Sequence, residues 1–277
     1  NDILNDPTIQ IVIELIGGYE PAKKFILQAL RNGKHVVTAN KALLAIHGQE
    51  IFETAMQHQM DVGFEASVGG GIPLIRSLRE GLIANNFSEI YGILNGTTNY
   101  ILTEMTEKAE SYGVVLQHAK ELGYAEADPT FDVEGIDATH KIIILTYLAF
   151  GKYVTMEQVF TEGISRLQPI DIKFATELGY KIKLLAISRR IDNAIEVRVH
   201  PTMLHEEHLL AKVNGSFNAV YMVGDNVDST MSYGRGAGMM PTASAVVSDL
   251  VDIARGIDRG AANRVPLVFP LTADEQA

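Results

Sequence analysis

The stretch that decides the fold is residues 9–38, IQIVIELIGGYEPAKKFILQALRNGKHVVT. Its beginning, residues 9–16, is almost entirely apolar and rich in isoleucine, which is typical of a strand buried on both faces, and two glycines end it. Pro21 then opens a helix over residues 22–31, and residues 35–38 form a second short strand. The stretch therefore predicts a β-α-β unit whose parallel strands are joined by a crossover helix.

Helices and strands continue to alternate beyond this unit. The strands over 181–190, 194–199 and 217–223 follow one another closely, so mixed or antiparallel pairing is expected there. The helix after Gly135 is apolar almost all round and is therefore predicted to be buried. Four further helices are predicted: one over residues 42–59, one with Pro73 in its first turn, one capped by a threonine at 97 or 98, and one from Pro241 to Ile253. Two further strands are predicted over residues 62–66 and 89–94.

Composition excludes several classes of function. The 277 residues include 23 Lys and Arg against 34 Asp and Glu, and the net charge of −11 repels nucleic acid and anionic membranes. The longest apolar run, residues 142–150, is far shorter than the ~20 residues of a membrane-spanning helix. The chain has no cysteine, which removes disulfides and thiolate sites. We expect a cytoplasmic protein, and because the chain begins at Asn1 we expect that its front is missing.

Charged residues that could carry chemistry crowd into residues 122–141, LGYAEADPTFDVEGIDATHK. Asp137 and Lys141 are four residues apart and so share one face of the buried helix. Spacing alone favours a capped helix start with an ordinary ion pair; the alternative is a partly desolvated lysine that works as a general acid or base, with Asp137 fixing its direction. Glu126 and Asp132 could bind the ammonium group of an amino acid, although surface solvation explains these acids equally well.

Three other segments each leave two interpretations open. Lys41 follows a strand, where it is either solvated or complements a phosphate or a substrate carboxylate. Residues 65–73 suit either a hard cation with oxygen ligands or a helix-entry turn. The glycines of residues 234–238 allow close approach to a ligand or form a simple turn. The sequence contains neither HExxH nor GxSxG, which disfavours a hydrolase.

Five motifs, taken together and in this order, closely resemble those of homoserine dehydrogenases. They are residues 36–41 (VVTANK), 65–73 (EASVGGGIP), 92–101 (GILNGTTNYI), the segment 123–141 and residues 236–243 (GAGMMPTA). The resemblance implies an NAD(P)-dependent oxidoreductase that interconverts L-aspartate 4-semialdehyde and L-homoserine in threonine, methionine and isoleucine biosynthesis. The rivals are a dehydrogenase of another amino acid semialdehyde and a non-catalytic amino-acid-binding relative.

The resemblance also implies roles for individual residues. Proton transfer falls on Lys141, with Asp137 beside it. Substrate binding falls on Glu126, Asp132 and Lys41, and the nicotinamide of NAD or NADP contacts Thr38, Lys41, Gly123 and Gly238. A monovalent cation, usually sodium, is held by Glu65 and the backbone carbonyls of Val68, Gly70 and Ile72.

Two departures from the family pattern shape the predicted architecture. No GxGxxG fingerprint precedes Ile9, and the chain stops where many members carry a C-terminal regulatory domain. We therefore predict an α/β protein with an incomplete Rossmann-type dinucleotide-binding domain over 1–44 and 234–256. An α+β catalytic and dimerisation domain with a mixed sheet covers 45–233, and 257–277 form a linker or tail. We expect a small-molecule substrate and a homodimer or higher homo-oligomer.

Overall fold

The computed structural model describes residues 2–262 and 265–266, and these form two compact units. Unit 1 consists of the described residues up to Ala84, Ile143–Met156 and those from Gly238 onward, and unit 2 consists of Asn85–Ile142 and Glu157–Ala237. Residues 45–84, which the predicted division assigned to the catalytic domain, belong to unit 1, because their strand pairs within the sheet of that unit. Most of the predicted tail over 257–277 lies outside the described residues.

Unit 1 contains a three-stranded parallel sheet. The strands of this sheet, in spatial order, are β1 (Ile11–Glu14), β2 (His35–Thr38) and β3 (Val62–Gly63). The helices that lie wholly in unit 1 are α1 (Asp2–Asn5), α2 (Ala22–Arg31), α3 (Lys41–Gln57), the short α4 (Leu74–Arg76) and α10 (Met239–Asp258). α2 connects β1 to β2, and α3 connects β2 to β3. The parallel β-α-β unit predicted from residues 9–38 is confirmed, and α2 and β2 have the predicted bounds.

The first strand differs from the prediction in its length and its burial. β1 covers four residues rather than eight, and Ile13 and Leu15 are 43% and 61% exposed. β1 is an edge strand that pairs with β2, so it is not enclosed on both faces as its apolar sequence predicted. β2 is the enclosed strand, since Val37 is fully buried and packs against Val246 and Ile253 of α10.

Unit 2 contains a six-stranded sheet. Its strands are β4 (Phe87–Ile93), β5 (Phe160–Thr161), β6 (Tyr180–Ile191), β7 (Ala194–His205), β8 (Asn218–Gly224) and β9 (Asp228–Gly234), in the spatial order β5-β7-β6-β4-β8-β9. β5 runs parallel to β7 and the other neighbours are antiparallel, so the predicted mixed sheet is confirmed. β9 was not predicted, because its sequence is largely polar.

Two helices of unit 2, α5 (Gly96–Lys108) and α9 (Pro169–Glu177), pack against β6, and the helices that follow α5 lead to the charged segment. These are α6 (Tyr112–Glu121), α7 (Thr130–Val133) and the first seven residues of α8 (Ile136–Phe150). Asn95, rather than a threonine, caps α5, because its Oδ1 accepts from the Thr98 amide at 2.8 Å. Of the helices in the described ranges, none has both the length and the apolar character needed to cross a bilayer.

A lysine that forms no ion pair with any carboxylate of the described residues lies in the interior of unit 2. Lys183 on β6 is 2% exposed, and its Nζ donates to Asn99 Oδ1, Val213 O and Asn214 Oδ1 at 3.1, 2.6 and 3.3 Å. Burial lowers the pKa of Lys183 from 10.5 to about 8, and the charge of Lys181 lowers it further. The lysine thus ties the 213–214 backbone to α5.

Lys183 makes stability rise with pH between about 8 and 10.5. In that window the unfolded chain binds a proton that the folded chain has released, so the free energy of unfolding increases with pH. Between these two pH limits, we expect the free energy of unfolding of the wild type to rise by on the order of 1–3 kcal/mol more than that of the Lys183→Met variant. Urea titrations at the two limits measure both changes. Equal increases in the two proteins would contradict the lowered pKa.

Candidate active site

The charged segment forms a buried cluster at the start of α8. Lys141 and Asp137 are 7% and 4% exposed, and Lys141 Nζ donates to Asp137 Oδ2 at 2.7 Å and to the Leu94 carbonyl at 2.7 Å. The ordinary surface ion pair that spacing favoured is therefore not what forms. A buried ammonium group held by one carboxylate and one carbonyl has its Nζ at a fixed point, which is the geometry that a proton donor needs.

Asn95 connects this ion pair to a second carboxylate. Its Nδ2 donates to Asp132 Oδ1 at 2.7 Å and to Asp137 Oδ2 at 2.9 Å. Thr97 Oγ1 lies 3.2 Å from Asp132 Oδ2 and 2.6 Å from the Tyr124 carbonyl. Sequence reasoning did not assign Asn95 or Thr97 to the site, although both lie in the 92–101 motif, directly after a strand.

The charges of the cluster favour a cationic ligand group. Burial raises the pKa of Asp132, and the charge of Asp137 raises it further, while hydrogen bonds from Asn95 and Thr97 oppose the rise. Two carboxylates face one ammonium group in Lys141, so an incoming amine would balance the charge. Binding of a substrate ammonium group by Asp132 would give this balance, and that role stays a prediction.

The other two residues predicted from this segment lie outside the cluster. Glu126 and Gly123 are exposed in the loop between α6 and α7, and Gly123 adopts a left-handed φ of +75°. Unlike Asp132, neither is joined to the cluster by a hydrogen bond. Their roles in binding substrate and nicotinamide stay predictions.

A polar network holds the turns that follow β1 and β2 in unit 1. Thr38 Oγ1 donates to Glu14 Oε2 at 2.7 Å, and Glu14 Oε1 accepts from the Ile16 amide at 2.7 Å. Asn40 Nδ2 donates to the Gly18 carbonyl at 2.7 Å, and its Oδ1 caps α3. Glu14 and Asn40 were not assigned by sequence reasoning, and the network fixes the carboxyl ends of two neighbouring parallel strands.

A cavity of about 560 Å³ lies beside these turns. Its lining comes from the β1 and β2 turns and from the start of α10, namely Leu15, Gly17, Ala39, Asn40, Gly238, Met239, Thr242, Ala243, Val246 and Val247. Gly238 lines this cavity, and Thr38 and Lys41 flank the lining pair at 39 and 40 in sequence, while their contacts with nicotinamide stay predictions. Apolar walls with few polar groups, at the carboxyl ends of parallel strands, fit a flat heteroaromatic ring such as nicotinamide.

The side chain of Glu65 has the contacts of a helix-entry turn, which is one of the two interpretations left open for residues 65–73. Its Oε1 and Oε2 accept from the amides of Ile75 and Arg76, each at 2.8 Å. Burial raises the pKa of Glu65 to about 7, against the effect of those two amides. Across the described ranges, no three or more His, Cys, Asp or Glu side chains are grouped to hold a metal ion. A monovalent cation here stays a prediction.

Comparison with known proteins gives one consistent family. The family model described as homoserine dehydrogenase matches residues 73–251, and that of the homoserine dehydrogenase NAD-binding domain matches residues 1–65. The homoserine dehydrogenases of Pseudomonas aeruginosa and Bacillus subtilis are 54% and 49% identical over 96% and 94% of this chain. The chain spans 61% and 60% of their lengths.

Solved structures agree with the sequence comparison. A homoserine dehydrogenase from Thiobacillus denitrificans is 55% identical, with a TM-score of 0.93 over 96% of this chain and 62% of its own. A hyperthermophilic archaeal homoserine dehydrogenase in complex with NADPH is 28% identical, with a TM-score of 0.77 over 88% of this chain and 71% of its own. The similarity therefore includes both the sequence and the arrangement of the elements.

Proposed function

This chain belongs to the homoserine dehydrogenase family, and we propose that it carries the residues by which an oxidoreductase interconverts L-aspartate 4-semialdehyde and L-homoserine. The observation that supports this most strongly is the buried Lys141, held at 2.7 Å by both Asp137 and the Leu94 carbonyl. Reduction of an aldehyde to an alcohol needs one proton at the oxygen, and a positioned ammonium group supplies it.

Each residue of the cluster has a separate role in the proposed reaction. A bound nicotinamide cofactor supplies the hydride that adds to the aldehyde carbon in the reductive direction. Lys141 Nζ gives a proton to the aldehyde oxygen, which becomes the hydroxyl of homoserine, and takes that proton back in the oxidative direction. Asp137 orients the lysine, and Asp132 binds the α-ammonium group of the substrate, assisted by Glu126. Homoserine formed in this way is a precursor of threonine, methionine and isoleucine.

The cofactor-binding role falls on unit 1. We assign the nicotinamide to the cavity beside Asn40 and Gly238, with Thr38 and Lys41 next to the lining residues 39 and 40 in sequence. The match of residues 1–65 to an NAD-binding family supports this, as does the NADPH bound by the archaeal relative. The choice between NAD and NADP stays open in this assignment.

Two further parts of the proposal concern a cation and assembly. We keep sodium at Glu65 and the carbonyls of Val68, Gly70 and Ile72 as a prediction that the two helix amides on Glu65 do not support. A homodimer is likewise expected from the family resemblance. Activity with and without sodium, and sedimentation of the full-length protein, test these two expectations.

Oxidation of NADPH and NADH by the full-length protein tests the proposed reaction. We expect aspartate 4-semialdehyde to be turned over with a kcat/KM at least about 10-fold above that of a semialdehyde one methylene longer. Equal or better turnover of the longer compound would favour the rival dehydrogenase. Homoserine binding without any turnover would favour the non-catalytic relative, and either result would overturn the proposal.

A further inference from the structure

The Leu94 carbonyl, at the end of β4, is shared by two donors. Lys141 Nζ donates to it at 2.7 Å, and Asn218 Nδ2, from the first residue of β8, donates to it at 2.9 Å. A carbonyl oxygen has two lone pairs and can accept both hydrogen bonds. The direction of this carbonyl, and with it one of the two anchors of Lys141, is therefore fixed by Asn218.

The side-chain amide of Asn218 is held in an orientation that leaves its oxygen without a hydrogen bond from the described residues. Asn218 is 1% exposed, and within the described part of the chain its Oδ1 accepts no hydrogen bond. Exchanging the amide nitrogen and oxygen would place Oδ1 against the Leu94 oxygen, which has no proton to donate. This orientation keeps Nδ2 on Leu94 and leaves Oδ1 without a protein hydrogen-bond donor in the described residues, an arrangement that is uncommon for a buried amide.

Gly236 leaves the space that this side chain occupies. A Cβ built at Gly236 would lie 1.9 Å from Asn218 Nδ2 and 2.1 Å from Cγ, so any side chain there must displace the amide. The φ angle of Gly236 is outside the left-handed region, and the requirement for glycine is therefore one of space alone. The close neighbour of Gly236 is thus the side chain of Asn218, whereas the sequence predicted either a ligand or a simple turn at residues 234–238.

We propose that Asn218 is a positioning residue for the proton transfer, acting on Lys141 through the Leu94 carbonyl, and that Gly236 keeps it in place. The proposal rests on the proposed function, because it concerns the same lysine. Without Asn218, the carbonyl that anchors Lys141 is free to turn. A displacement of about 1 Å can lower a rate by about 10²-fold.

The first test compares Asn218→Ala with Asn99→Ala in the full-length protein. Asn99 is an equally buried asparagine whose Nδ2 donates to the carbonyls of Val213, Gly215 and Phe217. Both variants should lose thermal stability. We expect Asn218→Ala to lower kcat by roughly 10–100-fold with little change in KM, because the lost interaction acts on the chemical step. Asn99→Ala should keep kcat within about 3-fold of the wild type, since in the described part of the chain its side chain bonds Lys183 and the carbonyls of residues 213, 215 and 217, and neither Asp137 nor Leu94.

The second test is a double-mutant cycle with Gly236→Ala. Gly236→Ala alone should lower kcat about as much as Asn218→Ala, because it displaces the same amide. The Asn218→Ala background removes the two nearest atoms, Nδ2 and Cγ, and leaves the Cβ of residue 218 at 2.7 Å from the added methyl group, so Gly236→Ala should lower kcat there by about 3-fold or less, far less than in the wild type. Circular dichroism of the three variants at the assay temperature separates loss of the amide from loss of folding.

The outcomes separate this proposal from the proposed function. If Lys141→Ala is inactive while Asn218→Ala keeps the kcat of the wild type, the positioning role is wrong and the proposed function stands. Additive effects of Gly236→Ala and Asn218→Ala on kcat would overturn it too. If Lys141→Ala itself keeps full activity, the proposed role of the lysine fails, and the positioning role fails with it.

Discussion

Asp137→Ala is expected to lower the free energy of unfolding by about 3–5 kcal/mol, which is typical of removing one partner from a buried ion pair. Both side chains are more than nine-tenths buried, and the substitution leaves the Lys141 ammonium group hydrogen-bonded to the Leu94 carbonyl but without its carboxylate. It also removes one of the two acceptors of Asn95 Nδ2. Urea unfolding followed by far-ultraviolet circular dichroism measures the change.

An exposed ion pair in the same unit provides the control. Lys173 and Glu177 on α9 have the same four-residue spacing, but their side chains are 66% and 56% exposed and the charged atoms are 3.8 Å apart. Glu177→Ala should change the free energy of unfolding by less than about 0.5 kcal/mol. The double variant Asp137→Ala/Lys141→Ala should recover part of the loss, because no uncompensated charge stays buried. A loss below about 1 kcal/mol in Asp137→Ala would contradict the buried pair.

The parts of the fold that the sequence predicted are those with local signals. Pro21 and Gly33 mark the ends of α2, and the apolar run of residues 35–38 marks β2. β9 carries no such signal, because its residues alternate between exposed and half-buried positions at the edge of the sheet. The short β1 shows the opposite error. Its isoleucines predicted a central strand, whereas burial depends on neighbours that a local pattern cannot show.

In the candidate site, too, the residues with a local sequence signal were predicted and those without one were missed. Asp137 and Lys141 were predicted as a pair because four residues along a helix bring side chains together. Asn95 was missed because it precedes Asp137 by 42 residues, and pairing at that distance depends on tertiary structure. The Leu94 carbonyl could not be predicted at all, because every residue carries the same backbone group. Family motifs supplied Asp132, which spacing alone left as one acid among several.

Lys141→Ala should have the largest effect on activity, a fall in kcat of roughly 10²–10⁴-fold for homoserine oxidation. The lysine is the cation that the cluster of Asp132 and Asp137 surrounds, and its Nζ is fixed at two points. Alanine removes the proton carrier but leaves Asp132 to bind the substrate, so the affinity for homoserine should change much less than kcat.

Lys173→Ala is the matched control for this loss. It also deletes a lysine from a helical pair of unit 2, but at an exposed position on α9. Its kcat should stay within about 2-fold of that of the wild type, because surface substitutions have small effects. Circular dichroism of both variants at the assay temperature separates loss of chemistry from loss of folding.

The most direct test of the central claim is the kcat of the folded, full-length Lys141→Ala variant at saturating homoserine and oxidised cofactor, measured beside the wild type. The buried lysine as proton carrier predicts a loss of at least about 10²-fold with homoserine still bound. A kcat equal to that of the wild type would contradict it.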